Sequence, residues 1–127
     1  MTITTPSDRS HHHDLPYLRT LDIRRAILGV FLRAAAPLSI DEVLRALADE
    51  GLDLEDTQQA SARQRVSDVM RHQVRMGRAS VVGRGTFSVD ASEFSESTRY
   101  RCLHWRQVAA AEAIRREERG RQRWGRG

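Results

Sequence analysis

The sequence predicts a mainly α-helical domain with one small β-hairpin, followed by a further helix. Three observations predict it. Apolar residues recur at helical spacing in three successive segments between Thr20 and Met76. Two β-prone stretches then flank a Gly-Arg-Gly turn. Positive charge gathers on the third helical segment and the hairpin, while the preceding segments are acidic. At 127 residues the chain has room for one modest core. The expected organisation is a lead over residues 1–19, a domain over 20–89, a linker over 90–98, a helix over 99–119 and a basic, disordered tail over 120–127.

The lead carries Thr, Ser, Pro and three successive histidines without periodicity. Adjacent histidines in such a context lack the fixed geometry of a metal site. Thr20 reads as the N-cap of a first helix, with Ile23, Ile27, Val30, Phe31 and Ala34 on its apolar face and Pro37 beyond its end. Ser39 and Glu42 stand three apart, the spacing of a reciprocal cap, so a second helix starts near Ile40. Val43, Leu44, Leu47 and Ala48 form its apolar face, and Gly51 is placed to end it in the left-handed conformation.

The loop Leu52 to Gln59 sets two leucines among acids and should tuck back onto the core. A third helix then runs from about Ala60 to Met76 and stops at Gly77. Ala62, Val66, Val69, Met70 and Val74 share one side of it. At about 100° per residue the opposite side collects Gln64, Asp68, Arg71 and Arg75, with Ser61, Ser67 and His72 on the flanks. Ala79 to Val82 and Thr86 to Val89 form the hairpin, with Arg84 at its tip. Tyr100, Leu103, Val108, Ala111 and Ile114 make an apolar stripe on the fourth helix, suited either to packing on the first helix or to pairing two copies of the chain.

All 21 basic residues are arginine, which fits a GC-rich genome as well as bidentate phosphate and guanine contacts. The net charge of +4 conceals a division along the chain. Residues 21–56 hold four Arg against eight acids, residues 57–89 six Arg against Asp68, and residues 99–127 nine Arg against three Glu. Such asymmetry is what a polyanion-binding face produces. The single Cys102 permits no intrachain disulfide, and no long apolar run is present, so the expected compartment is the cytoplasm. Cys102 and His104 are too few for a structural zinc site, and no metal or other cofactor is expected. The sequence lacks phosphate-loop, zinc-protease and serine-hydrolase signatures, and no enzymatic role is expected.

Three helices followed by a hairpin is the order of a winged helix-turn-helix. The stretches Pro37-Leu-Ser-Ile40, Val66-Ser-Asp-Val-Met70 and Val82-Gly-Arg-Gly-Thr-Phe-Ser-Val89 resemble that superfamily, and within it the HARE-HTH group. The resemblance covers residues 20–89. It implies a third helix in the major groove of double-stranded DNA and a hairpin on an adjacent groove or the backbone. Members of the group belong to DNA-modifying systems, chromatin regulators and an RNA polymerase accessory subunit.

Arginine and glutamine pair bidentately with guanine and adenine respectively, and serine meets phosphates or bases. The expected DNA contacts are therefore Gln64, Ser67, Arg71 and Arg75 on the helix, with Arg78 at the base of the hairpin and Arg84 at its tip. Asp68 could pair with Arg71 or Arg75. The basic tail, which includes Trp124, offers phosphate attraction and base stacking. A nucleoid-associated or transcriptional regulator is the expected role. The competing reading is a protein-interaction module such as a transcription-machinery accessory factor, using the acidic second helix. A metal sensor would require His72 or His104 to meet carboxylates in space.

Overall fold

The computed structural model describes residues 18–125, with side chains described through residue 122. In chain order the elements are α1 (Thr20–Ala34), β1 (Leu38–Ser39), α2 (Ile40–Asp49), α3 (Ala62–Arg75), β2 (Ala79–Gly83), β3 (Thr86–Val89), a 3-10 turn (Ala91–Glu93), α4 (Glu96–Leu103) and α5 (Trp105–Gly125). The three helices and the hairpin stand where the sequence places them, within two residues at each end. One strand was not foreseen. β1 pairs antiparallel with β3, Leu38 opposite Phe87 and Ser39 opposite Thr86, giving a three-stranded sheet in the order β1-β3-β2. No helix among the described residues is long and apolar enough to cross a membrane.

Thr20 is not the cap of α1. It already has helical conformation, and Arg19 takes the cap position. The Arg19 backbone N–H donates to Asp22 Oδ2 at 2.9 Å, so a carboxylate in the first turn satisfies the helix entrance. Leu18, assigned to an unstructured lead, packs against the core, while residues 1–17, including the three histidines, lie outside the described residues. α1 ends at Ala35 in the left-handed conformation, φ 52°, whose N–H donates to the Phe31 carbonyl at 3.0 Å.

The cap of α2 is the one read from sequence. The Glu42 N–H donates to Ser39 Oγ at 3.1 Å, and the Ser39 N–H donates to Glu42 Oε1 at 2.8 Å. That backbone donor holds the Glu42 carboxyl below its ordinary pKa. Gly51 and Gly77, just beyond α2 and α3, have φ of 86° and 79°, the left-handed region that glycine occupies without a Cβ penalty.

α1 is the central element. Ala26, Ile27, Leu28, Gly29, Val30 and Phe31 are all buried, more than one face can account for. The reason is that α2, α3 and β3 cover one side while α4 and α5 cover another. Ile23 is only partly buried and Ala34 is exposed, so the apolar stripe read for α1 is displaced toward its middle. Val43, Leu47, Val66, Met70 and Phe87 complete the inner core. Each fully buried large side chain among these contributes about 1.5–3 kcal/mol of apolar burial.

The C-terminal region departs most from expectation. Residues 90–98 are not a linker: they hold the 3-10 turn and the start of α4, and Phe94 is buried in the core. The expected fourth helix is two helices, broken at His104. The face packed inward carries Cys102, Trp105 and Ala109, whereas Tyr100, Ala111 and Ile114 point outward and Leu103 and Val108 are half-buried. Burial pushes the Cys102 thiol above its ordinary pKa, with Arg25 and Arg78 partly opposing.

The tail expected to be disordered from Gly120 continues as helix through Gly125. Glu117 and Arg121, four apart and 3.2 Å from one another, are the kind of pair that supports an exposed helix. α5 runs antiparallel to α1. Trp105 Nε1 donates to Glu50 Oε1 at 3.1 Å near one end of α1, where Arg33 also meets Glu50 at 2.7 Å. Further along α5, Glu112 meets Arg25 at 3.2 Å and Arg19, near the other end of α1.

Candidate nucleic-acid interface

Helix α3 is fixed in the body by Val66, Met70 and Gln73, all buried, and by its own ends. Ser61 caps it, accepting from the Gln64 N–H at 3.1 Å, and Asp56 Oδ1 accepts from the Ala62 N–H at 2.7 Å. The side turned away from the core carries Gln64, Asp68, Arg71 and Arg75, all exposed, at i, i+4, i+7 and i+11. These four form one stripe along the helix, as the sequence predicts.

Ser67 does not belong to it. Its exposure is 8%, so it faces the interior and is withdrawn from the set of DNA contacts. The helical wheel explains why: Ser67 lies seven residues before the half-buried Val74 and three before Met70, on the flank that the body covers.

The six arginines of the basic block divide into two groups. Arg63 is paired with Asp41 and so links α3 to α2, and Arg65 donates to the Glu55 carbonyl at 2.9 Å and so holds the α2–α3 loop. The Arg78 guanidinium lies 5.2 Å from the centre of the Phe94 ring, and the residue is half-buried. Arg78 therefore joins the hairpin base to the C-terminal region rather than projecting freely from it. Arg71, Arg75 and Arg84 are exposed and have no ion-pair partner among the described residues.

Asp68 pairs with neither Arg71 nor Arg75. It accepts instead from Gln64 Nε2 at 2.7 Å.

The hairpin turn is Arg84-Gly85, with Gly85 at φ 64°. A β-bulge at Val82 separates the Val81–Phe87 and Gly83–Thr86 pairs. The Ile40 N–H donates to the Gly85 carbonyl at 3.0 Å, which ties the base of the turn to the start of α2. Arg84 is thus carried on a turn anchored at one residue and open at the other. Val81 and Val82 on the outer strand β2 are 60% and 52% exposed, and the bulge twists this free edge away from regular pairing.

Other chemistry is sparse. Among the described residues no three His, Cys, Asp or Glu side chains gather into a group able to hold a metal ion. His72 is exposed on α3, and His104 stacks against Tyr100 with ring centres 4.4 Å apart. Sequence reasoning passed over two buried polar residues, Asp22 and Gln73, each with a side-chain oxygen that has no hydrogen-bond partner among the described residues. Gln73 lies seven residues after Val66 on the same face, and that spacing was the available signal. Comparison with known protein families, with characterised proteins and with solved structures finds no match for this chain.

Proposed function

We propose that residues 20–89 form a winged helix that binds duplex DNA through α3 and the β2–β3 hairpin, as a transcriptional regulator or nucleoid-associated factor of the cytoplasm. The order helix, short strand, two helices and hairpin, with the short strand completing the sheet, supports the winged-helix reading. One observation carries the function. Arg63, Arg65 and Arg78 each have a partner within the fold, Arg63 through an ion pair at the surface, while Arg71, Arg75 and Arg84 stand exposed without an ion-pair partner among the described residues, on the two elements that a winged helix presents to DNA. Charge free of internal partners in this position attracts phosphate and releases its counterions.

The competing protein-interaction reading uses the acids of α2. It has less support, because Asp41 pairs with Arg63, Glu42 caps its own helix and Glu50, at the C-cap, binds Arg33 and Trp105, which leaves Asp49 as the one acid of this helix and its cap without a side-chain partner among the described residues.

A titration of the full chain with a labelled duplex over a salt series tests the proposal. Affinity should fall linearly on logarithmic axes. With the three exposed arginines on phosphate, the slope is about −2.7, from roughly −0.9 per contact. Absence of binding at low salt, or binding that salt leaves unchanged, rejects it.

A further inference from the structure

On the exposed stripe of α3, one residue runs against the electrostatics of a DNA-binding face. Asp68 stands between Gln64 and Arg71 and would repel phosphate. Its geometry gives it another role. Asp68 Oδ1 accepts from Gln64 Nε2 at 2.7 Å, one helical turn away, and both residues are exposed. The amide orientation is dictated by chemistry, since the reverse would set the Gln64 Oε1 acceptor against a carboxylate acceptor. One of the two Gln64 amide N–H groups is therefore occupied, and the amide keeps Oε1 and a single N–H.

That changes which base the glutamine can read. In the major groove guanine offers two acceptors, N7 and O6, whereas adenine offers the N7 acceptor and the N6 donor. A free glutamine amide can meet guanine with its two N–H groups or adenine with one N–H and Oε1. The amide held by Asp68 retains only the second set. The remaining lone pairs of Asp68 work in the same direction: they accept from the exocyclic amine of adenine or cytosine and oppose the oxygens of guanine and thymine. Gln64 is the third residue of α3, and the first turn is where a recognition helix meets base edges.

We infer that Asp68 is a positioning residue that makes Gln64 a reader of adenine in the major groove. The inference rests on the DNA-binding reading above, and it adds the base that the helix selects.

Site selection from a random duplex pool, followed by titration of single-base variants, tests it on the full chain. Wild type should select a site containing an adenine whose replacement by guanine costs roughly tenfold in affinity. The preference at that pair should vanish in Gln64→Ala, which identifies the contact. In Asp68→Ala the amide is released, and the preference should fall to about threefold or less, while binding to random duplex tightens because a negative charge is gone. Asp68→Asn loses the same charge but keeps an acceptor for Gln64, so it should show the tighter random binding and retain the adenine preference.

Asp68 is exposed, and unchanged circular dichroism and melting temperature would show that each variant is folded. An Asp68→Ala protein that keeps the wild-type preference overturns the inference. So does an equal loss in both Asp68 variants, which would reduce the residue to a charge. In either case duplex binding by wild type leaves the broader proposal standing. Failure of wild type to bind any duplex at low salt overturns both.

Discussion

Gly29 and Gly120 both lie inside helices, and the same substitution should act on them with opposite signs. A Cβ built on Gly29 would stand 2.4 Å from the carbonyl oxygen of Cys102, in α4, and 3.1 Å from its carbon. These are backbone atoms and cannot rotate aside. To move from 2.4 Å to even 3.0 Å, the shortest such approach that real side chains make, α4 must shift away from α1 by over half an ångström. Overpacking of this kind costs about 1–3 kcal/mol, against about 1 kcal/mol gained when alanine replaces glycine in a helix. The expected net loss for Gly29→Ala is about 1 kcal/mol, or a melting temperature lower by roughly 4 °C.

A Cβ on Gly120 of α5 meets no atom of the described residues within 4 Å, so the helix-propensity gain is the effect that applies there. Gly120→Ala should raise the helical circular-dichroism signal and raise the melting temperature slightly. Thermal melts of the two variants beside wild type settle the matter. Equal effects at both sites, or a stabilised Gly29→Ala, would refute the close approach of α4 to α1 and with it the docking of the C-terminal helices on the domain.

Arg84→Ala should weaken binding to every duplex alike and leave the melting temperature nearly unchanged, because the residue is an exposed turn position whose side chain has no partner among the described residues. Loss of stability would reassign it to structure. In a selected-site binding assay Arg71→Ala should cost about 1–3 kcal/mol on the preferred site if it reads guanine, with much less loss on unrelated DNA. An equal loss on all sequences would make it a phosphate contact, and no loss would remove it from the interface. The cap of α2 predicts a pH effect. The folded state holds the Glu42 carboxyl below its unfolded pKa, so this contribution is present above that unfolded value and lost as pH falls through the folded one. Melts of wild type and Glu42→Gln from pH 7 to pH 3 should converge at the acid end, and parallel curves would reject the assignment. Tyr100 and Ile114, 58% and 56% exposed, offer an outward face for pairing two chains. Sedimentation should show a dimer that Ile114→Glu dissociates, and a wild-type monomer would reject self-association.

The features legible in the sequence are those whose cause is local. The Ser39–Glu42 cap, the glycines after α2 and α3 and the turn at Gly85 each depend on residues within one turn of one another, so spacing alone reveals them. β1 could not be read this way. It is two residues long, and only its pairing with β3, nearly fifty positions later, defines it as a strand. Phe94 was hidden by the polar residues around it, although its burial under Arg78 makes the supposed linker part of the core.

The stripe chosen for the C-terminal helix followed the aliphatic residues, while the fold buries Cys102, Trp105 and Ala109. The break at His104 is part of the reason, because it interrupts the phase that a single helix would impose. The candidate DNA-binding face shows the same division. Its stripe follows from helical periodicity, and the choice of which arginines are free does not, because Asp41, Glu55 and Phe94 come from three other parts of the chain. Net charge therefore overstates the basic face at positions 63, 65 and 78. What distinguishes Arg71, Arg75 and Arg84 within the basic block is that folding brings no ion-pair partner to them among the described residues, and that is a property of tertiary structure which no count of arginines along the sequence contains.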